Sequence, residues 1–169
     1  MKRFSTRQLT LAALVGAMYV VLSYFGNIFS LTFGAVQCRF AEALTVLPFL
    51  NPATTWGLFI GCVITNILSP YGPLDMIFGS LATLLAGLLT ARCKHKWLAP
   101  LPPVLCNMLI IPAVIAFQEV GFTAAFSGAF LYHAATIGLG QVVACYGLGM
   151  ILLAMLPKLE IIAKISEKS

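Results

Sequence analysis

The chain of 169 residues is 60% hydrophobic and only 9% charged, where a soluble domain carries about a quarter charged residues. That composition excludes a globular fold in water, which would have to expose large contiguous apolar patches. The net charge of +5 would suit a nucleic-acid binder, but the cations cluster as Lys2, Arg3 and Arg7, then Arg92, Lys94 and Lys96, then Lys158, Lys164 and Lys168. Each cluster flanks an apolar run, the positive-inside pattern of a membrane protein, so no nucleic-acid partner is expected.

The five cysteines, Cys38, Cys62, Cys93, Cys106 and Cys145, are odd in number and widely spaced. No C-x-x-C or paired Cys/His spacing marks a zinc site, and no disulfide framework, metal or cofactor is expected. The basic start and the apolar run from Leu9 to Phe25 lack an A-x-A-like cleavage site before a polar domain, so the run reads as a retained helix.

A spanning helix needs about 20 apolar residues, because ~30 Å of hydrocarbon is crossed at 1.5 Å per residue. The first candidate covers about 7–26 and ends at Gly26-Asn27, before a loop to Cys38. Asn51-Pro52 interrupts the next apolar stretch, since proline removes a donor and turns the preceding residue away from α. The stretch therefore divides into helices over about 39–50 and 53–68, the former short for a full span. Ser69-Pro70-Tyr71-Gly72-Pro73 is a turn. Further helices are expected over about 74–91, 98–117 and 130–156, with a polar linker at 92–97 and a looser connection at 118–128.

The expected fold is thus an all-α membrane protein, one transmembrane domain over 1–169 with six transmembrane helices. Six spans put the N-terminus, the 51–53 turn, the 92–97 loop and the C-terminus on one side, together with every Lys and Arg except Arg39. Five spans would leave the 92–97 cluster outside. The positive-inside rule therefore selects six helices with both ends in the cytoplasm, in a multi-pass protein of the cell membrane.

Polar groups inside a membrane are costly and mark function or a specific helix contact. Candidates for substrate binding are Arg39, Glu42, Asn66, Asp75, Asn107, Glu119, Tyr132, His133 and Gln141, with Gln118 beside them. Asn66 lies about 20 Å above the cytoplasmic end of its helix by the helical rise, and most of the others also fall in the outer half. Arg39 and Glu42, three apart, either pair with each other or face a ligand. Asp75 either stabilises a helix N-terminus or binds. Asn66 and Asn107 are either interhelical glue or ligand contacts. Glu119 and His133 flank one external loop and could equally be solvated. Together the acids, amides, phenol and aromatics (Phe29, Phe33, Tyr71, Phe122, Tyr132) suit a flat, hydrogen-bonding ligand, with acids holding an amine or a heterocycle's N–H edge.

The first helix carries a different pattern. Ala12, Ala13, Gly16 and Ala17 form two small-xxx-small pairs that let another helix approach closely. Gly138, Gly140, Gly147 and Gly149 on the last helix suit internal packing. No P-loop, kinase set, G-x-S-x-G or H-E-x-x-H occurs, so neither ATP hydrolysis nor another enzyme activity is indicated. Six helices without an internal repeat are few for alternating access by paired halves, which points to work with partners or as an oligomer.

The run Arg39-Phe-Ala-Glu42-Ala-Leu-Thr-Val-Leu-Pro48-Phe49, then Gly57-Leu-Phe-Ile-Gly61-Cys62 with Asn66, then Gly72-Pro-Leu-Asp75 and Phe78 to Leu84, resembles the QueT family. These are substrate-binding S components of energy-coupling factor (ECF) transporters, associated with salvage of queuosine precursors. The resemblance is carried mainly by 39–91. It implies an S-component-like bundle of six helices with one outward pocket and no ATPase activity of its own. It further implies docking on a membrane T component that carries two ATPase subunits. In related S components an A-x-x-x-A motif on the first helix makes that contact, and Ala13-x-x-x-Ala17 matches it, with Ala12-x-x-x-Gly16 one residue earlier. The implied substrate is a 7-deazaguanine such as preQ1, queuine or queuosine. A stand-alone proton-coupled carrier using Glu42, Asp75 and His133 is the alternative from another class.

Overall fold

The computed structural model describes residues 5–29, 39–67, 69 and 72–156, and every regular element among them is helical. Lys2, Arg3, Phe33, Cys38, Tyr71 and the basic residues after 156 lie outside the described residues.

Helix α1 runs Thr6–Ile28, 23 residues, and the Ser5 N–H donates to Gln8 Oε1 at 3.0 Å in a capping-box contact that fixes its start. Its buried residues Ala12, Val15, Gly16, Tyr19, Ser23 and Gly26 recur every three or four positions and make one stripe. The opposite face presents Leu14, Val21, Phe25 and Ile28 outward. Such a face is stable against lipid and not against water.

The short second helix is a 3-10 helix, Phe40–Phe49, rather than an α-helix. Runs this long are uncommon in that form. Pro48 removes a backbone donor inside it, and separately the Thr45 hydroxyl donates to the Glu42 carbonyl oxygen at 2.6 Å. Every residue from Ala41 to Pro48 is buried, so this element is the centre of the bundle rather than part of its wall.

The Asn51-Pro52 break forms as expected. Asn51 Oδ1 accepts from the Ala53 N–H at 3.0 Å, and its carbonyl accepts the Thr54 hydroxyl at 2.8 Å, which launches α2, Thr54–Asn66. Helices α1 and α2 cross with backbones almost touching. A Cβ on Gly57 would sit 1.9 Å from the Ala12 carbonyl oxygen, and one on Gly61 would sit 2.8 Å from the Gly16 carbonyl oxygen. Ala12 and Gly16 thus lie in an internal contact, while Ala13 and Ala17, rotated one position round α1, are exposed.

Helix α3 is Gly72–Thr90; Gly72 and Pro73, expected in the turn, are its first residues, with proline's fixed φ suited to a helix start. Helix α4, Leu101–Val120, opens with Pro102 and Pro103 and stops where Gly121 takes φ 60°. It therefore outlasts the expected end at 117. Helix α5 starts at Phe126 instead of 130 and continues to Met155, 30 residues with a π-helical stretch, Val143–Gly149, inside. That stretch packs on the central 3-10 helix, where a Cβ on Gly149 would meet Val46 Cγ1 at 2.9 Å. Gly138 likewise admits Met108, whereas Gly147 faces open space.

Among the described residues four helices are long and apolar enough to cross a membrane: Thr6–Ile28, Gly72–Thr90, Lys96–Val120 and Phe126–Met155. The start of α1, the Asn51 turn, Ala99 and the end of α5 gather at one end of the bundle through Leu11, Leu50, Leu153 and Leu156. Arg39, Ser69 and Asp75 come together elsewhere, where α2 ends and α3 begins.

Candidate functional site

Five of the candidate residues, Arg39, Glu42, Asn66, Asp75 and Asn107, form one buried network at the centre of the bundle, none more than 5% exposed. Each arrives on a different piece of chain. Arg39 precedes the 3-10 helix in extended conformation, Glu42 is in that helix's first turn, Asn66 ends α2, Asp75 is in the first turn of α3, and Asn107 is on α4.

Glu42 is held at both oxygens. The Tyr19 hydroxyl donates to Oε1 at 2.7 Å and Asn107 Nδ2 donates to Oε2 at 3.1 Å. Two donors, one per oxygen, suit the ionised carboxylate, which accepts and cannot donate. Arg39 Nη2 lies 3.7 Å from Asp75 Oδ2, which also accepts the Ser69 hydroxyl. Arg39 thus forms a cross-helix ion pair with Asp75, a pairing that neither reading of Arg39 named, while its carbonyl oxygen accepts the Glu42 N–H at 3.0 Å.

Asn66 contacts Asp75 and Cys62, and Cys62 packs in one buried cluster with Tyr19. Asn66 Nδ2 lies 3.4 Å from both the Asp75 carbonyl oxygen and Cys62 Sγ, and Thr83 donates to the same sulfur at 3.3 Å. Gly79 makes this possible, since a Cβ there would sit 2.8 Å from Asn66 Nδ2 and 3.1 Å from Asp75 Oδ1. Gln141, also buried, reaches the network through Cys145, whose Sγ is 3.5 Å from both Gln141 Oε1 and the Glu42 carbonyl oxygen.

Three candidates stay outside. His133 Nε2 pairs with Glu119 Oε2 at 2.8 Å, across the loop joining α4 and α5, and Glu119 remains half-exposed. Tyr132 is 58% exposed and stacks edge-on against His133. Phe117, Phe122 and Phe126 form a separate row of ring contacts.

The residue most missed by sequence reasoning is Tyr19. It sits three positions past Gly16 on the buried stripe of α1, and a buried tyrosine hydroxyl needs a partner, so the signal was present. Ser69, Cys62 and Cys145 carried no such signal.

A second feature is an apolar groove of about 370 Å³ between α1 and α2, lined by Ala13, Ala17, Val20, Trp56, Ile60 and Ile64 among others. Ala12 and Gly16 also line it, so it opens along the α1–α2 crossing.

The family model described as "QueT transporter" matches residues 9–158. The "Queuosine precursor transporter QueT" of Lactococcus lactis subsp. cremoris (strain MG1363) is 34% identical over 84 residues. That stretch is 50% of this chain and about half, 49%, of the relative's length. No solved structure matches the chain. A transporter family and four apolar helices agree on a multi-pass protein of the cell membrane. The chain belongs to the QueT transporter family.

Proposed function

We propose that this chain is the substrate-binding membrane subunit of an ECF-type importer that takes up a queuosine precursor, a 7-deazaguanine. The observation that carries the reading is the buried Tyr19–Glu42–Asn107 and Arg39–Asp75–Ser69 network in a chain of this family. A 7-deazaguanine is flat and offers an amide and amino edge to carboxylate acceptors. Arg39, Glu42, Asn66, Asp75, Asn107 and Gln141 are the residues proposed to serve it, with Tyr19 holding Glu42. Glu119, Tyr132 and His133 would act only at the mouth.

In this reading the chain crosses the membrane six times with both ends in the cytoplasm. The 3-10 form supports a crossing by the ten-residue element: at a rise of ~2.0 Å per residue it reaches about 20 Å, where an α-helix of that length reaches about 15 Å. Arg7, Arg92, Lys94 and Lys96 lie at the proposed inner end, and Trp97, largely exposed, suits an interfacial anchor there. The exposed Ala13 and Ala17 and the groove beside them are the proposed seat of the T component, which in turn carries two ATPase subunits. Close helix approach needs small side chains there.

The decisive experiment is binding of 7-deazaguanines to the purified chain, followed by uptake into liposomes with and without the partner subunits. Binding, with uptake only when partners and ATP are present, is expected. Uptake by the chain alone would overturn the subunit reading in favour of a proton-coupled carrier. Ala13→Trp and Ala17→Trp are expected to abolish co-purification with the T component while ligand affinity stays within about threefold.

A further inference from the structure

We propose that the central network is a cation site: its ligand must carry a positive charge, and the ring alone does not suffice. The inference deepens the 7-deazaguanine reading of the same residues and rests on it.

The first ground is a charge count. Arg39 is the single Lys or Arg between Arg7 and Arg92, and none occurs between Lys96 and Lys158. The network therefore holds one cation against two acids, Glu42 and Asp75, each only 1% exposed. His133 does not restore the balance, because it is engaged with Glu119 outside the network. Tyr19, Asn107, Ser69 and Cys62 bring hydrogen bonds without a positive charge. A buried charge left without its partner is among the most unfavourable arrangements in a protein, and inside a membrane more so. An entering cation would give the second acid a partner of opposite charge.

The second ground is independent of charge. Asp75 Oδ1 and Asn66 Oδ1 are buried and have no hydrogen-bond partner among the described residues. Both are acceptors. Both belong to side chains that meet at Gly79, Asn66 through its amide nitrogen and Asp75 through Oδ1. Ser69 donates to Asp75 Oδ2, Asn66 Nδ2 to the Asp75 carbonyl and Cys62, and Asn107 Nδ2 to Glu42, so none of these reaches the two open oxygens. An ammonium group would bring them three N–H donors together with a charge. Arg39 fixes one oxygen of Asp75 and so leaves the other for the ligand.

The test uses the full chain in detergent and two probes that differ at one position. 7-Aminomethyl-7-deazaguanine is a cation at neutral pH, and 7-cyano-7-deazaguanine is neutral and of similar size. The expected result is a preference for the aminomethyl probe of roughly 100-fold, the scale of losing one partner of a buried charge pair. Asp75→Asn and Glu42→Gln each leave one acid against Arg39, so both variants are balanced when empty. In each the preference is expected to fall below about tenfold. Equal affinity of the native chain for the two probes would overturn the cation site and leave the 7-deazaguanine reading standing. A preference kept in both variants would overturn its assignment to these acids. Binding of neither probe would overturn the 7-deazaguanine reading and the cation site together.

Discussion

At the scale of single residues, the network shows how a membrane core tolerates acids. Glu42 is kept by two neutral donors on two other helices, and Asp75 by a guanidinium and a hydroxyl. Hydrogen bonds to a charged group contribute about 1.5–3 kcal/mol, and an orphaned buried acceptor costs a similar amount. Tyr19→Phe should therefore lower stability in detergent by about 1–3 kcal/mol, read from thermal unfolding of the unliganded protein. A change below about 0.5 kcal/mol would mean that Tyr19 does not hold Glu42. Cys93, in the linker after α3, makes a different prediction. Partial burial pushes its thiol up from the usual cysteine range, and its Sγ lies 3.5 Å from the Leu98 carbonyl oxygen and 3.6 Å from that of Leu89. A raised pKa means less thiolate at neutral pH. Alkylation should be slower than for a free cysteine at pH 7 and should quicken as pH rises, measured as rate against pH beside a model thiol.

At the scale of elements, contact distance between helices is set by missing side chains. Gly57 and Gly61 on α2 receive Ala12 and Gly16 on α1, and Gly87 on α3 receives Thr55, whose Cγ2 would lie 2.7 Å from an added Cβ. Because the Gly57 Cβ would meet rigid backbone, Gly57→Ala must push α1 and α2 apart. A loss of about 1–3 kcal/mol is expected, the usual cost of overpacking. Gly147→Ala is the control, since nothing lies within 4 Å of its added Cβ. It should be neutral or slightly stabilising, by up to about 1 kcal/mol. Equal losses for the two would show that the α1–α2 crossing is looser than described; the measurement is thermal stability of both variants in one detergent.

At the scale of the whole molecule, one helix has two faces with different tasks. The inner stripe of α1 carries Ala12, Gly16 and Tyr19, while the outer face carries Ala13 and Ala17 beside the groove to α2. The proposed orientation puts the 91–95 linker inside the cell. In a Cys38→Ala background, Cys93 should react with a membrane-impermeant thiol reagent only after cells are opened. Cys62, Cys106 and Cys145 are buried and should stay silent. Labelling of Cys93 on intact cells would invert the topology and with it the proposed outward access to the network.

The sequence by itself determined that the chain is helical and membrane-embedded, and where the Asn51-Pro52 break falls. Composition, apolar run length and proline act locally and need no partner to be read. It also singled out Arg39, Glu42, Asn66, Asp75 and Asn107, because a polar group in an apolar run stands out wherever the run packs. Only the tertiary structure decided how they pair. Arg39 meets Asp75 across the start of α3, and Tyr19 meets Glu42 where the Gly57 and Gly61 crossing draws α1 against α2. The 3-10 form of Phe40–Phe49 and the division of the small-residue stripe between an inner and an outer face were decided there too. Each depends on which neighbour occupies the space, and an amino-acid pattern along one helix does not contain that neighbour.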